Sequence, residues 1–230
     1  TWSDSREVFP VEAGANDFRS RLAPNGERVI MYSGNLGACH LIREMIHAIG
    51  VMRDDAGVRF AFVGGGKKRR QVEEELSGGD HKVDFLPYQD NGVLAESLSA
   101  ADVHLVTLDP TYDGLLVPSK LYGIMAAGRP TVFVGSEQTE IARVLRAADC
   151  GEVVAPGDGD GLAATLRRLL GDPDRLEEMG RNGRAYFENA LDKDHALERF
   201  RRLFRGLEST AAASAMEESS SGFRPVRGSE

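Results

Sequence analysis

Two apolar runs, Asp102-Val-His-Leu-Val-Thr-Leu108 and Thr131-Val-Phe-Val134, frame a short helical segment, and this arrangement constrains the chain more than any other feature. Pro118 stands where a helix begins, because its fixed φ suits a first turn and its missing N–H is not needed there. A helix is therefore predicted to open at about Val117. Its first turn offers unpaired backbone N–H groups, the Ser119 hydroxyl and the Lys120 ammonium, a combination suited to a phosphate or another anion. At its other end Ala126-Ala127-Gly128 lets the helix lie close on a sheet and stop, and Arg129-Pro130 leads into the second strand. Strand, helix, tight turn and strand make one βαβ unit built around a ligand.

The same alternation runs through the chain. Strands are predicted at Val29–Ser33, Val58–Val63, Val83–Leu86, Asp102–Leu108, Thr131–Val134 and Glu152–Ala155. Helices are predicted at Leu41–Met52, Lys67–Leu76, Gly92–Ala101 and Glu137–Ala147, then at Leu162–Leu170, Pro173–Asn189 and His195–Leu207. The expected fold is α/β: a doubly wound, Rossmann-like parallel sheet of about six strands with extra C-terminal helices. In the order 3-2-1-4-5-6 the crevice lies between the first and fourth strands, where the turn at Gly34 to His40 faces the loop and helix start at Asp109 to Lys120. Residues 1–27 read as a lead-in wrapped on a surface, 28–190 as the domain, 191–208 as a helix crossing to another domain, and 209–230 as a disordered tail. Because the chain opens on Thr1 within a connecting segment, a fragment of a longer protein is expected.

Charge narrows the partners. With 28 basic and 36 acidic residues the net charge is −8, which argues against a nucleic-acid surface and shows no patch for an anionic membrane. Any phosphate-binding charge must be local. Cys39 and Cys150 form neither a disulfide framework nor a metal spacing, and no apolar run approaches a membrane span, so a reducing cytoplasmic setting is expected. The turn Gly34-Asn35-Leu36-Gly37 lacks the further glycines of a dinucleotide fingerprint. Gly66-Lys67 is followed by Lys68, and Ala61 stands where a P-loop needs glycine.

Individual residues carry two readings each. Gly34 and Gly37 make a tight turn or a close backbone approach to a ligand. His40 donates to a phosphate oxygen or is a part-buried residue at a helix start. Tyr88 flanks a nucleobase or packs on a strand end, and Asp109, Tyr112 and Asp113 meet sugar hydroxyls or are ordinary loop residues. Lys67-Lys-Arg-Arg70 before Glu73-Glu-Glu75 reads as an exposed helix with i,i+4 pairs, and the cysteines as small apolar fillers.

At Tyr32-Ser-Gly-Asn-Leu-Gly37 with His40, Phe85-Leu-Pro, Leu98-Ser-Ala-Ala-Asp102-Val, Val117-Pro-Ser-Lys120-Leu-Tyr-Gly-Ile-Met-Ala-Ala-Gly-Arg-Pro130 and Gly151 to Gly157, the chain resembles the C-terminal, donor-binding half of the GT-B retaining glycosyltransferases, group 1 or family 4 type. The resemblance covers residues 1–207 and is nearest to a branch reading Val-Pro-Ser-Lys. It implies transfer of a sugar from a nucleotide diphosphate donor with retention, with no obligatory metal and no cofactor. It also implies an N-terminal acceptor-binding domain, in the same gene or as a separate subunit, through which the enzyme would reach the inner membrane face. Carried over by position, Gly34, Asn35, Leu36, Gly37 and His40 lie near the diphosphate, Leu86 to Tyr88 near the base, and Leu116, Pro118, Ser119, Lys120 and Gly123 near the sugar and ribose. The chain departs from the family pattern where two glutamates commonly stand, at Leu115 and Gly123, and where an arginine and a lysine clamp the diphosphate, at Asn35 and at Cys39 or His40. Lys120 is the residue expected to compensate for the lost clamp. A GT-B sugar-nucleotide epimerase and a non-catalytic binding or assembly module are the alternatives.

Overall fold

The computed structural model describes residues 3–116 and 119–205, so Pro118 and the expected tail lie outside the described residues. Six strands, β1 (Arg28–Ser33), β2 (Val58–Val63), β3 (Val83–Leu86), β4 (Val103–Thr107), β5 (Thr131–Val134) and β6 (Gly151–Val154), form one sheet in the order β3-β2-β1-β4-β5-β6. Every pairing is parallel. This is the predicted doubly wound order, and it opens the carboxyl ends of β1 and β4 on one crevice.

Central parallel strands are covered on both faces, which is why they read as continuous apolar runs with no alternation. Each residue of β4 and β5 is buried. On one face Ile30, Tyr32, Val103 and Leu105 pack under α2 (Arg43–Val51), α3 (Lys67–Leu76) and α7 (Gly159–Leu170). On the other, Val106, Leu108 and Phe133 meet α4 (Leu94–Ser99), α5 (Lys120–Ala126) and α6 (Glu140–Ala148). Another helix, α8 (Pro173–Tyr186), lies against α5, and a π-turn at Phe187–Leu191 follows it with Phe187 fully buried.

Two helices, α6 and α7, start away from the expected residue where a side chain, Thr139 or Asp158, caps them. Thr139 Oγ1 accepts from Ala142 N at 3.2 Å and so starts α6 at Glu140. The predicted Gly92–Ala101 helix divides into a 3-10 turn at Asn91–Val93 and α4. The lead-in holds more structure than its mixed pattern predicts. Asn16 caps α1 (Asp17–Leu22) by accepting from Arg19 N and donates to Glu96 O at 2.8 Å, while Phe18 and Leu22 pack on Val29, Met31 and Ala61 of the sheet. A six-residue helix has under two turns, too few for its period to show.

Thr1–Asp192 form one compact unit. Residues 193–205 are helical within a second unit, and Phe200, Leu203 and Phe204 are exposed on that helix.

Candidate functional site

The turn after β1 is held by backbone contact with the loop that ends β2. Gly34 N donates to Val63 O at 2.8 Å, Leu36 N to Gly65 O at 2.7 Å, and Lys68 N to Leu36 O at 3.0 Å. Such proximity requires glycine: Gly66 has φ 121°, and a Cβ there would lie 2.5 Å from both Leu36 N and Leu36 O. The basic run that follows does more than pair along a helix. Arg69 and Arg70 do bond Glu73 and Glu74 at i,i+4 spacing. Yet Lys68 Nζ donates to Ala38 O at 2.7 Å and His40 O at 2.6 Å, and Arg69 donates to Gly64 O and Leu86 O. Both side chains support the turn, a role that sequence reasoning did not assign. The three preceding glycines were the only local signal.

On its other side the turn is tied to β4. The His40 Nδ1–H donates to Thr107 O at 2.8 Å, Leu41 N to Thr107 Oγ1 at 3.1 Å, and Asp109 N to Cys39 O at 2.8 Å. His40 is buried, and burial, followed by the charge of Lys120, pushes its pKa down to about 4. The imidazole is neutral at pH 7, and its Nδ1 is committed to the strand.

Lys120 begins α5, directly after the exposed Ser119. Its ammonium lies 4.0 Å from the centroid of the Tyr32 ring and donates to the Tyr32 hydroxyl, which itself donates to Asn35 O at 2.9 Å. Its Cε would touch a Cβ at Gly34 at 3.5 Å. The β1 turn and the α5 start therefore meet across the crevice. Among the described residues no carboxylate lies within ion-pair distance of Lys120, and burial drives its pKa down to about 7. Burial also raises the Tyr32 pKa, which keeps the phenol protonated as a donor. A part-buried cation without an anionic partner, beside backbone N–H groups, is an arrangement suited to a phosphate.

The crevice thus gathers Gly34, the exposed Asn35, Gly37 and Lys120. Exposed Tyr88 lies on its β2 side, where a Cβ on Gly65 would meet Tyr88 Cε2 at 3.1 Å. Leu116 is exposed at the end of the described part of the loop before α5. Other expected residues turn elsewhere. The Leu36 side chain is buried in the core beneath α2 and α3, and Leu86 packs toward Phe18 and Leu22 while only its carbonyl joins the turn. A side chain at Gly123 would meet Leu98 Cδ1 on α4 at 3.3 Å.

Residues 27–172 match the model of the family described as Glycosyl transferases group 1. The chain belongs to this family. WcaI of Escherichia coli (strain K12), named as a colanic acid biosynthesis glycosyl transferase, is 30% identical over 89% of this chain and 50% of its own length. The chain spans about half the length of the curated relatives it matches. Among solved structures, the C-terminal domain of the group 1 family protein LpcC from Francisella tularensis has a TM-score of 0.66 at 17% identity, covering 83% of this chain and 99% of that one. HepE of Anabaena, solved in complex with UDP and glucose, has a TM-score of 0.73 at 16% identity, covering 91% of this chain and 55% of that one. The sheet of this group 1 member is thus the Rossmann-like sheet of GT-B enzymes. Among its described residues, no helix is long and apolar enough to cross a membrane.

Two buried histidines of this group 1 chain predict a pH dependence. His104, fully buried in β4, donates from Nε2 to Leu98 O at 2.8 Å, and burial pushes its pKa down to about 4, as for His40. Between about pH 6.5 and 4 the unfolded chain takes up protons that both native imidazoles refuse, so stability is full above that window and falls as pH drops through it. Each shift corresponds to roughly 3 kcal/mol at most. Urea denaturation from pH 7 to 4 should show a slope that flattens by about half in His104→Gln, and an unchanged slope would count against the buried neutral state.

Proposed function

We propose that this chain is the donor-binding half of a retaining glycosyltransferase. It takes a sugar from a nucleotide diphosphate donor for transfer to a glycan or lipid-linked acceptor in cell-surface polysaccharide synthesis. The observation that carries this reading is the meeting of Lys120 with the Gly34–Gly37 turn, through the Tyr32 hydroxyl, at the opening between β1 and β4. Family membership favours it over an epimerase and over a non-catalytic module. The name of WcaI supports a role in polysaccharide synthesis, and the nucleotide in the HepE complex makes UDP the first donor base to test.

In this reading the diphosphate lies over the turn, and departure of the nucleotide develops negative charge on its oxygens. Lys120 and the fixed N–H donors beside it stabilise that charge without reorganising. Lys120 thereby takes the place of the basic clamp that the family carries and this chain lacks at Asn35. Ser119 and the exposed loop at Leu116 line the sugar side, and the exposed Tyr88 ring is available to stack on a base. The acceptor and the second wall come from an N-terminal domain, which would also provide any contact with the inner membrane face.

Calorimetric titration should show that the chain binds a nucleotide diphosphate sugar, whereas glycosyl transfer is expected only when an N-terminal α/β domain is joined or added. Absence of nucleotide binding would remove the donor role. Sustained transfer by this chain alone would remove the need for a second domain.

A further inference from the structure

The opposite, amino edge of the sheet holds a groove of about 670 Å³, within the size range of small-molecule sites. Its walls are fixed by backbone contact. Gly128, with φ 64°, faces Pro10, and Gly180 of α8 packs directly on the Gly128 carbonyl. Such a groove is preformed.

Five arginines line it, Arg19, Arg28, Arg129, Arg181 and Arg184, and most are already engaged. Arg19 donates to Ala100 O and pairs with Asp102 at 3.0 Å, so it closes the carboxyl end of α4. Arg184 does the same for α5 at Ala126 O and also bonds Glu188, while Arg181 pairs with Glu177. Arg129 differs. Among the described residues its one side-chain hydrogen bond, to Val11 O, is long at 3.4 Å, its Nε is buried without a partner, and no carboxylate lies within ion-pair distance. Arg28, beside it in the lining, spends one nitrogen on Asp102 at 3.0 Å and keeps 41% of its side chain exposed.

Burial disfavours the Arg129 charge and Arg19 adds to that, while Asp102 and Glu12 of the same groove favour it; a bound anion would add to the favourable side.

We propose that this groove is a binding site for a small phosphorylated molecule, held chiefly by Arg129 and Arg28, at the end of the domain remote from the donor crevice. Neither cation belongs to the donor machinery, so the two sites are separable by substitution.

The test is titration of the isotopically labelled chain with inorganic pyrophosphate, followed by magnetic resonance of the arginine Nε–H and backbone amide signals. The expected result is a saturable shift of the Arg129 Nε–H and of the Gly128 and Gly180 amides, with at least a tenfold weaker dissociation constant in Arg129→Gln. Arg28→Gln, at an exposed rim position, should weaken binding about threefold to tenfold and serves if Arg129→Gln does not fold. Shifts confined to the Gly34–Gly37 turn, or unchanged affinity in a folded variant of either arginine, would overturn the proposal.

Discussion

Replacing Lys120 with methionine should weaken binding of a nucleotide diphosphate by roughly tenfold to a hundredfold, the range expected for loss of a charge-assisted hydrogen bond. The same change should raise the melting temperature of the ligand-free protein at pH 7. The two effects share one cause. Lys120 is part-buried on the Tyr32 ring with no carboxylate of the described residues beside it, so its charge is costly until an anion arrives. Methionine keeps most of the packing volume and removes that cost.

The sign of the pH dependence follows. The native Lys120 pKa is lowered to about 7 from its ordinary 10.5, so between these values the unfolded chain holds a proton that the native chain has lost. Wild-type stability therefore gains from this residue as pH rises through that interval, and the advantage of Lys120→Met shrinks toward pH 10. Binding should also draw a proton onto Lys120 near pH 8. The calorimetric enthalpy would then depend on the ionisation enthalpy of the buffer in the wild type and not in Lys120→Met. Equal nucleotide affinity in the two proteins would show that Lys120 does not replace the missing clamp.

The second large effect is expected at Gly66→Ala, with a loss of at least ~3 kcal/mol in urea denaturation and loss of nucleotide binding. Alanine there combines a φ of 121° with a Cβ only 2.5 Å from the Leu36 backbone, so the β1 turn must move away from the β2 loop. Gly57→Ala is the control. Its φ is 75° but nothing lies within 4 Å of the added Cβ, so backbone strain alone should cost ~1–2 kcal/mol and leave binding intact. Similar losses in the two variants would mean that the contact between the turn and the loop contributes little.

Much of the architecture was legible because its signals are local. The strands are mostly apolar runs, many boundaries carry glycine, proline or a capping side chain, and strict alternation of strand and helix implies a parallel sheet. Given the common doubly wound order for such a sheet, the arrangement β3-β2-β1-β4-β5-β6 and the facing of the Gly34 turn by the Lys120 segment followed. Short elements escaped, α1 and the 3-10 turns at Ala13–Ala15, Asn91–Val93 and Pro110–Tyr112, since none is long enough to display a period.

What the sequence by itself determined was the class of fold, the place of the crevice and the scarcity of cationic residues at the β1 turn. Tertiary structure alone decided which side chains serve that place. Tyr32 lies 88 positions before Lys120 and reads as one more buried strand residue until its hydroxyl is seen under the ammonium. His40 reads equally as a phosphate donor or as a part-buried residue at a helix start until its Nδ1 is found on Thr107, Lys68 as a solvated charge until its Nζ is found on the turn, and Arg129 as a linker residue until it is found in the wall of a groove. The physical reason is that period and capping act within a few residues, whereas partner, burial and pKa depend on strand register and helix packing between segments the chain order keeps apart.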